Sequence, residues 1–316
     1  MKFSVVMPSY NRADLIGESL DSILAQDLPP DEVIVVDDGS TDGTPDVVAR
    51  YGNRVRLIRV ENGGDLVARN IGLRAATNPL VAFCDSDDLW EPQFLSAMAD
   101  LWRREPGLGV AYGNFRIVRE GRWSEKAKFQ DAPPGYWDEL RSIGPEAEMF
   151  DTPSIMRLLR FQPFFASAIV VSREAFMARG GWDEGASRIV GTDFATALRM
   201  AERPVGVLLR PLVGIRKHAS NFSGDTRRMH LGDAQILEYV LASRPWLEQY
   251  RPTILASIAA RRAAAADLAF DSRDFVAVRD IQKRVKARDL TLRRQLKGLI
   301  SRLPSPVARW VADAAG

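Results

Sequence analysis

Residues 32–44 read EVIVVDDGSTDGT, and this stretch decides the fold that we expect. Its apolar part, VIVV at residues 33–36, has no polar side chain on either face of an extended chain. Strands of a parallel sheet that is covered on both faces have this pattern, whereas a half-exposed strand alternates apolar with polar residues. The strand ends abruptly in Asp37 and Asp38, and a glycine-rich turn follows. The stretch therefore predicts a buried strand with polar groups at its carboxyl end.

Two other segments have the same design. Residues 3–7 are apolar and run into PSYN at residues 8–11, and residues 81–83 run through a cysteine into DSDD at residues 85–88. Helical spacing at residues 15–23 separates the first two strands, and alternating strands and helices predict an α/β fold with a mainly parallel sheet. Ligands of such sheets lie beyond the carboxyl ends of the strands, so one shared ligand would account for all three polar clusters.

The acidic run DSDD suggests a metal site. If the extended geometry of the strand continues, alternate residues share a face, and Asp85 and Asp87 point the same way. Two like charges so close together need a cation near them, and a divalent metal is the natural candidate. The alternative is an acidic turn that caps the helix expected to begin near Pro92. This segment alone leaves both interpretations open.

Four motifs, in this order, resemble the N-terminal half of family 2 glycosyltransferases. They are SVVMPSYNR at residues 4–12, VVDDGSTDGT at 35–44, NGGDLVARN at 62–70 and DSDD at 85–88. The resemblance covers roughly residues 3–225. A lone D-x-D motif is weak evidence, but four ordered motifs at the family spacing are far more specific.

This resemblance implies a GT-A fold, which is a Rossmann-like nucleotide-sugar domain with a mixed, mainly parallel sheet. It implies a metal-dependent, inverting enzyme that uses Mg²⁺ or Mn²⁺ and a nucleotide-diphospho-sugar donor, in the first place a UDP-sugar. The acceptor would be a hydroxyl group of a glycan or lipid-linked glycan in polysaccharide or cell-surface glycan synthesis. Alternatives are a non-catalytic sugar-nucleotide-binding module and a GT-A-like nucleotidyltransferase. The latter normally has a glycine-rich basic loop where this chain has PSYNR at residues 8–12.

The resemblance assigns the base pocket of the donor to the ends of the first two strands. Pro8 and Tyr10 would line the pocket, and Asp38 would accept a hydrogen bond from the uracil ring, a role that suits an acceptor-only carboxylate. Asp37 is expected to be structural. The alternative for Asp38 is that it only closes the Asp-Gly turn.

The diphosphate and the metal are expected beside the DSDD run. By the family pattern, Asp87 coordinates the metal, Asp85 contacts the ribose or a metal-bound water, and Ser86 belongs to the donor-binding set. Arg69, on a helix predicted over residues 65–76, can reach the diphosphate or hold Asp85; the alternative is a surface arginine. A metal suits this place because departure of a nucleoside diphosphate develops negative charge.

His218 is one of two histidines and lies in RKHASNFS at residues 216–223. That segment is similar to a late Arg-x-His-x-x-Asn-x-Ser segment of the family, in which the histidine approaches the metal or the diphosphate. We therefore expect His218 at the metal. A solvent-exposed histidine is the alternative, because Mg²⁺ favours nitrogen ligands less than Mn²⁺ does.

An inverting transfer requires a carboxylate opposite the leaving group to remove the proton of the acceptor hydroxyl. Residues 178–194, ARGGWDEGASRIVGTDF, are similar to the family's Gly-Gly-Phe-Asp-Glu element and the Glu-Asp pair after it. Thr192 stands in place of the first acid of the pair, so Asp193 is the predicted base. N-capping of the following helix is its structural alternative, and Asp183 and Glu184 are reserve candidates.

Composition restricts the class of protein. A chain of 316 residues with 46% hydrophobic residues can bury one large core and an appendage, and a formal net charge of +2 gives no reason to expect nucleic acid as a partner. The single cysteine, Cys84, excludes an internal disulfide and is expected to be a buried apolar residue. No segment approaches the roughly 18 apolar residues of a membrane span. We expect a cytoplasmic protein, either free or attached to the cytosolic face of the inner membrane.

Three zones organise the chain: a donor-binding half at residues 1–110, an acceptor-binding half of the same GT-A domain at 111–228, and a helical extension at 229–316. Between residues 279 and 302 the extension has nine Lys or Arg and two Asp. One helical face there carries Leu292, Leu296, Leu299, Ile300 and Leu303. A basic amphipathic helix of this kind predicts peripheral membrane contact. The alternative is a helix that packs on the catalytic domain and leaves a basic face in water.

Overall fold

The computed structural model describes residues 1–187, 189–218 and 225–314. The chain divides into two compact units. Unit 1 consists of Met1–Ser187 and Thr196–Ala219, and unit 2 of Arg188–Ala195 and Ser220–Gly316. The division of function predicted at residues 110 and 228 stays a prediction.

A sheet of eleven strands, counted over the described residues, forms the frame of unit 1. The strands are β1 (Phe3–Ser9), β2 (Glu32–Asp37), β3 (Arg56–Arg59), β4 (Leu80–Phe83), β5 (Leu89–Trp90), β6 (Val110–Arg119), β7 (Arg122–Ala127), β8 (Arg141–Gly144), β9 (Ala147–Phe150), β10 (Ile169–Ser172) and β11 (Val205–Arg216). Their order is β3-β2-β1-β4-β10-β6-β11-β9-β8, with β5 beside β11 and β7 beside β6.

The sheet is mixed, which confirms the predicted α/β class. The four strands β3, β2, β1 and β4 are mutually parallel. β10 is antiparallel to both of its neighbours, and β6 and β11 form one further parallel pair. The mainly apolar strands are buried on both faces, as predicted: every residue of β1 and β4 is buried, including Ser4 and Ser9.

Helices cover both faces of this sheet. Those of unit 1 are α1 (Ile16–Leu24), α2 (Thr44–Ala49), α3 (Asp65–Ala75), α4 (Phe94–Arg104), α5 (Ile155–Arg160) and α6 (Arg173–Ala178). α3 lies very close to the sheet, because a Cβ atom at Gly72 would be 2.3 Å from Val6 Cγ1. Cys84, directly after β4, is fully buried as expected, and burial raises the pKa of its thiol well above the ordinary value.

Helix α7 (Thr192–Met200) begins in unit 2, and the C-terminal part of the chain is helical, as predicted. Its helices are α8 (Thr226–Ser243), α9 (Arg251–Asp271), α10 (Phe275–Gln282), α11 (Leu292–Ile300) and α12 (Ser305–Ala314). Small side chains of α9, including Ala265 and Ala269, pack with Phe275 and Val278 in a core of its own. No helix in the described part of the chain has the length and apolarity needed to cross a bilayer.

Candidate active site

The polar clusters predicted at three strand ends meet at one edge of the sheet, because β1 lies between β2 and β4 and runs parallel to both. The loops after β1 and β2 are bonded to each other. Asn11 N donates to Ser40 Oγ at 2.9 Å, and Thr41 N donates to Asn11 Oδ1 at 2.8 Å. Asn11 has a left-handed backbone (φ 52°), which asparagine adopts more readily than most residues. The edge is therefore a built structure of interlocked loops.

Three carboxylates cluster at this edge. Asp85, Asp87 and Asp88 each offer an oxygen atom, and these atoms lie within 4.8 Å of one another. The extended geometry considered for this segment is wrong: β4 ends at Phe83, and Asp88 N donates to Asp85 O at 3.1 Å, so the chain turns. The turn brings three carboxylates together where an extended strand would align two. The metal-site alternative gains support from this geometry.

Asp88 is held by the protein through both of its oxygens. Ser167 Oγ donates to Oδ2, and the backbone N–H of Arg216 donates to Oδ1 at 2.9 Å. Burial, followed by the charges of Asp87 and Asp85, raises the pKa of Asp88 well above the ordinary value. Because both of its oxygens accept hydrogen bonds from the protein, Asp88 stabilises the turn and is less accessible to a ligand.

Asp85 is paired with Arg69. Arg69 Nη2 donates to Asp85 Oδ1 at 2.7 Å, and the guanidinium lies 4.8 Å from the ring centre of Trp182. Arg69 is 4% exposed, so it is not the surface arginine of the alternative interpretation. Burial raises the pKa of Asp85, and the charge of Arg69 opposes this effect without cancelling it. Arg69 thus places a fixed positive charge at the edge where a diphosphate is expected.

Asp87 is the meeting point of two segments that are distant in sequence. His218 Nε2 lies 2.9 Å from Asp87 Oδ2, and Arg12 Nε lies 3.5 Å from the same oxygen. The His218 side chain is 19% exposed, which is against the fully solvated alternative. The rest of the late motif, residues 219–223, lies outside the described residues. Carboxylate oxygens suit Mg²⁺ or Mn²⁺, the one imidazole nitrogen favours Mn²⁺ over Mg²⁺, and a divalent cation would relieve the repulsion within the cluster.

Asp38 fastens one loop of the edge to another. Gly63 N donates to Oδ1 at 2.8 Å, Gly64 N donates to Oδ2 at 2.9 Å, and Asn62 Nδ2 donates to the Asp38 carbonyl oxygen at 2.9 Å. These bonds hold the NGG loop just before α3, the helix that carries Arg69. Each carboxylate oxygen has a second lone pair, so contact with a base as well stays a prediction. Asp37 is structural as expected: it is fully buried, and Arg59 Nε donates to it at 3.0 Å.

The other donor-site candidates lie at the same edge with different exposure. Pro8 is buried near the end of β1, whereas Tyr10, two residues later, is 46% exposed. Ser86 is buried within the acidic turn. An exposed aromatic ring beside a buried strand end is available to a flat ligand, and the assignment of Tyr10 to the base pocket stays a prediction.

Asp193 lies in the segment of unit 2 that opens α7. The helix begins at Thr192, which places Asp193 inside its first turn, two residues later than an N-cap would stand. Its role as base stays a prediction. Both reserve acids are engaged in unit 1: Asp183 is buried and lies 2.9 Å from Arg199 Nη2, and Glu184 Oε1 accepts from Asn70 Nδ2 at 2.8 Å.

Two contributors to the site were not predicted. Arg12 ends the SVVMPSYNR motif, and that position was a signal that could have been used. Ser167 donates to Asp88 and accepts from the backbone N–H of Asp85 at 2.9 Å, so one hydroxyl braces both ends of the acidic turn. Nothing in the sequence around Ser167 indicates this role, since it depends on how β10 pairs with β4.

With this geometry established, the chain can be compared with known proteins. The family model described as glycosyl transferase family 2 matches residues 4–165, just over half of the chain. The chain belongs to glycosyltransferase family 2. The match covers all four motifs and the acidic turn that the structure places at the sheet edge, so the predicted family is confirmed.

The relatives of this family 2 member include proteins named as glycosyltransferases. It is 46% identical over 189 residues to the putative teichuronic acid biosynthesis glycosyltransferase TuaG of Bacillus subtilis, covering 56% of this chain and 74% of TuaG. It is 35% identical over 116 residues to an uncharacterized glycosyltransferase of Nostoc, alr2836, covering 35% of this chain and 36% of that protein. A third match, 44% identical over 94 residues, covers 28% of this chain and 16% of the poly(ribitol-phosphate) β-N-acetylglucosaminyltransferase TarS of Staphylococcus aureus. The chain thus spans a minor part of some relatives.

Solved structures agree on the fold. The S. aureus TarS 1–349 complex with UDP-GlcNAc has a TM-score of 0.64 at 21% identity, covering 99% of this chain and 92% of that one. The Pyrobaculum calidifontis mannosyltransferase PcManGT, in complex with GDP-Man and Mn²⁺, has a TM-score of 0.52 at 23% identity, covering 96% and 88%. Both support the GT-A architecture of the family 2 member.

Proposed function

We propose that this protein is a metal-dependent, inverting glycosyltransferase that moves a sugar from a UDP-sugar to a hydroxyl group of a glycan or lipid-linked glycan. The observation that carries the proposal is the cluster of Asp85, Asp87 and Asp88 at one sheet edge, with Arg69, Arg12 and His218 around it. Carboxylates and arginines placed together in this way suit a metal–diphosphate pair, in which both signs of charge must be matched.

In the proposed site, Asp87 and His218 would hold Mg²⁺ or Mn²⁺, with Asp85 at the ribose or at a metal-bound water. Bound metal would neutralise the charge that develops on the departing diphosphate. Arg69 would contribute a second, permanent positive charge, since its guanidinium is buried, stays protonated and is oriented by Asp85 and Asp65. Asp88 would keep the acidic turn in shape through Ser167 and the backbone of Arg216.

The nucleoside would lie beside Pro8, Tyr10 and Asp38. A uracil base is the first choice because the TarS structure of the same fold contains UDP-GlcNAc, and because the resemblance assigns uracil to the position of Asp38. PcManGT was solved with GDP-Man, so guanine is the competing base. The exposed ring of Tyr10 can stack on either base. The carboxylate of Asp38 requires a base with an N–H donor on the edge that faces it.

Asp193 is the proposed general base. A carboxylate that removes the acceptor proton while the nucleoside diphosphate leaves from the opposite face gives inversion at the anomeric carbon. The proposed acceptor is a polymer or lipid-linked precursor of the cell surface, supported by the names of TuaG and TarS. Such a reaction would be cytoplasmic, at the side of the membrane that holds the nucleotide-sugar pool.

Thermal shift with a panel of UDP-, GDP- and dTDP-sugars tests the donor and the metal together. A ligand that binds the folded state raises the unfolding temperature according to its occupancy. We expect the largest increase with a UDP-sugar and Mn²⁺, a smaller one without metal, and none above background for Asp87→Asn. A control variant, Asp100→Asn, removes an exposed carboxylate on α4 and should respond as the wild type does.

Release of UDP from the stabilising donor, measured over hours with and without EDTA, separates an enzyme from a non-catalytic module. Slow metal-dependent release of UDP is expected even without acceptor, because water can take the place of the acceptor hydroxyl and hydrolyse the UDP-sugar. Stabilisation by every nucleotide sugar equally, or only in EDTA, would contradict the proposal. Binding without any release of UDP, with or without oligosaccharide acceptors, would favour the sugar-nucleotide-binding module.

A further inference from the structure

The last two helices of unit 2 expose large apolar side chains. We call this surface the leucine face, and it consists of Leu292, Leu296, Leu299, Leu303, Val307 and Trp310. Leu292 is 73% exposed and Trp310 is 72% exposed. Leu292, Leu296, Leu299 and Leu303 recur at spacings of four, three and four, so they share one side of α11 and its C-terminal end.

The opposite, polar side of α11 is the one that packs into unit 2. Arg294 Nε lies 2.8 Å from Asp267 Oδ2 on α9, and Lys297 Nζ lies 2.9 Å from Asp267 Oδ1. Gly298 and Ser301 are buried on the same side. A helix of a water-soluble domain normally does the reverse, because burial of a leucine side chain stabilises by about 2 kcal/mol. This helix is docked by ion pairs and by Ile300, which packs against the core of unit 2 and so leaves the predicted apolar face, while its leucines are in solvent.

Helix α12 repeats this inversion with different residues. It buries Ala308 and Ala312 in the core of unit 2 and leaves Val307 and Trp310 outside. Its far end is held by an ion pair between Arg273 and Asp313. The small side chains face in and the large ones face out, so the apolar surface is a property of both helices. Several large apolar side chains exposed on consecutive helices mark a surface that another apolar phase covers.

The charge of the last two helices indicates what kind of apolar phase covers the leucine face. Residues 290–312 contain five basic residues and no acidic one. Arg293, Arg302 and Arg309 are exposed, and no ion pair within the described parts of the chain involves them. A second copy of the same surface would bring like charges together. An anionic lipid surface instead offers phosphates to the arginines and an apolar interior to the leucines.

We propose that the leucine face inserts into the interfacial layer of an anionic lipid membrane, with α11 lying in the plane of the surface and Arg293 and Arg302 contacting lipid phosphates. Trp310 would sit at the boundary between headgroups and acyl chains, where its amphipathic ring is favoured. Arg294 and Lys297 take no part, because Asp267 already binds both. This proposal goes beyond the sugar transfer and does not depend on it.

Co-sedimentation with vesicles tests the proposal without any donor or acceptor. The full chain is mixed with vesicles of 70% phosphatidylcholine and 30% phosphatidylglycerol, and with pure phosphatidylcholine vesicles. We expect sedimentation with the anionic vesicles at low salt and at least a tenfold loss of affinity at 0.5 M NaCl, since salt screens exposed charges. Arg293→Gln with Arg302→Gln should weaken binding by about thirtyfold, the effect of two basic residues at an anionic surface.

The apolar part is tested with Leu296→Glu combined with Leu299→Glu, which should weaken vesicle binding by more than a hundredfold. Its matched control is Leu255→Glu combined with Leu268→Glu, which introduces the same charge at two leucines of α9 that are 47% and 37% exposed and outside the leucine face. Both substitutions affect exposed side chains, so circular dichroism spectra and unfolding temperatures should match those of the wild type.

Three results would overturn the proposal. One is a wild-type chain that stays in the supernatant with anionic vesicles at low salt. Another is equal vesicle binding by the Leu296→Glu and Leu299→Glu double variant and by the wild type. The third is a lipid-free oligomer in sedimentation velocity that this double variant dissociates, since the leucine face would then be an interface between copies of the chain. None of these results bears on UDP release, so failure here is distinguishable from failure of the proposed transfer reaction.

Discussion

The acidic turn of unit 1 and the leucine face of unit 2 depart from the usual distribution of side chains in opposite directions. At the turn, Asp85 and Asp88 bring carboxyl groups into surroundings whose burial raises the pKa of both. On α11 and α12, leucines and a tryptophan are left in water while basic groups and alanines are packed. Each arrangement costs free energy in the isolated chain.

The difference between the two regions lies in how the cost is offset. The carboxylates have partners within the protein: Arg69, Ser167 and the Arg216 backbone satisfy Asp85 and Asp88, and His218 and Arg12 approach Asp87. The leucine face has no such internal compensation. Buried charge held by a surrounding network suits a small, charged ligand that enters a preformed place, whereas uncompensated apolar surface suits a large apolar phase. The following predictions test this contrast, beginning with the largest effect.

The acidic turn is tested most severely by Asp87→Asn. We expect a loss of sugar transfer of about a thousandfold or more, because a metal at a developing diphosphate stabilises the transition state by several kcal/mol. Folding should survive, since the substitution removes one of three clustered negative charges. Turnover is measured as UDP release across a Mn²⁺ titration, with Asp100→Asn as the control. Metal-dependent turnover near the wild-type rate would remove Asp87 from the metal site.

Asp193→Asn separates chemistry from donor binding. General-base catalysis contributes at least about a hundredfold, so transfer to acceptor should fall by that factor. Affinity for the UDP-sugar, measured by calorimetry, should change little, because the proposed donor contacts all lie at the sheet edge. The matched control is Thr192→Ala, which alters the preceding residue at the start of α7. A parallel collapse of donor affinity in Asp193→Asn would indicate a structural role.

Asp267→Asn tests the inverted docking of α11 and has the smallest expected effect. Burial raises the pKa of Asp267, but hydrogen bonds and charges from Lys297 and Arg294 lower it on balance. A lowered pKa stabilises the fold above the unfolded value near 3.9, and the benefit is lost as pH falls through the folded pKa. At pH 7 we expect α11 to open more easily by about 1 kcal/mol, the scale of such partly exposed pairs.

Amide hydrogen exchange of α11 measures this opening, as a roughly fivefold faster exchange in the variant at pH 7. The gap between variant and wild type should narrow as pH falls below about 4. Asp280→Asn is the control, because Asp280 is exposed and pairs with Lys283, three residues along the chain. Unchanged α11 exchange in Asp267→Asn at pH 7 would mean that the ion pairs do not dock the helix, and the contrast between the two regions would lose its structural basis.

Most of the fold and part of the site could be predicted from the sequence. The continuous apolar runs at residues 33–36 and 81–83 place apolar side chains on both faces of a strand, so both faces must be covered. This pattern predicts a parallel half-sheet. Four ordered motifs identified the family that the family model confirms. Motif positions also predicted Arg69, Asp87 and His218 as site residues. A motif indicates which side chains contact a ligand, but it does not give their geometry.

Tertiary structure decided what local pattern cannot contain. Whether DSDD continues a strand or turns depends on Ser167, just before β10, and on the backbone of Arg216, at the end of β11, both far along the chain. Periodicity predicted that Leu292, Leu296 and Leu299 share one side of a helix, but it does not say whether that side faces the core or the solvent. Which side faces inward was settled by Asp267 on α9, whose carboxylate binds Arg294 and Lys297 and so turns the leucines outward.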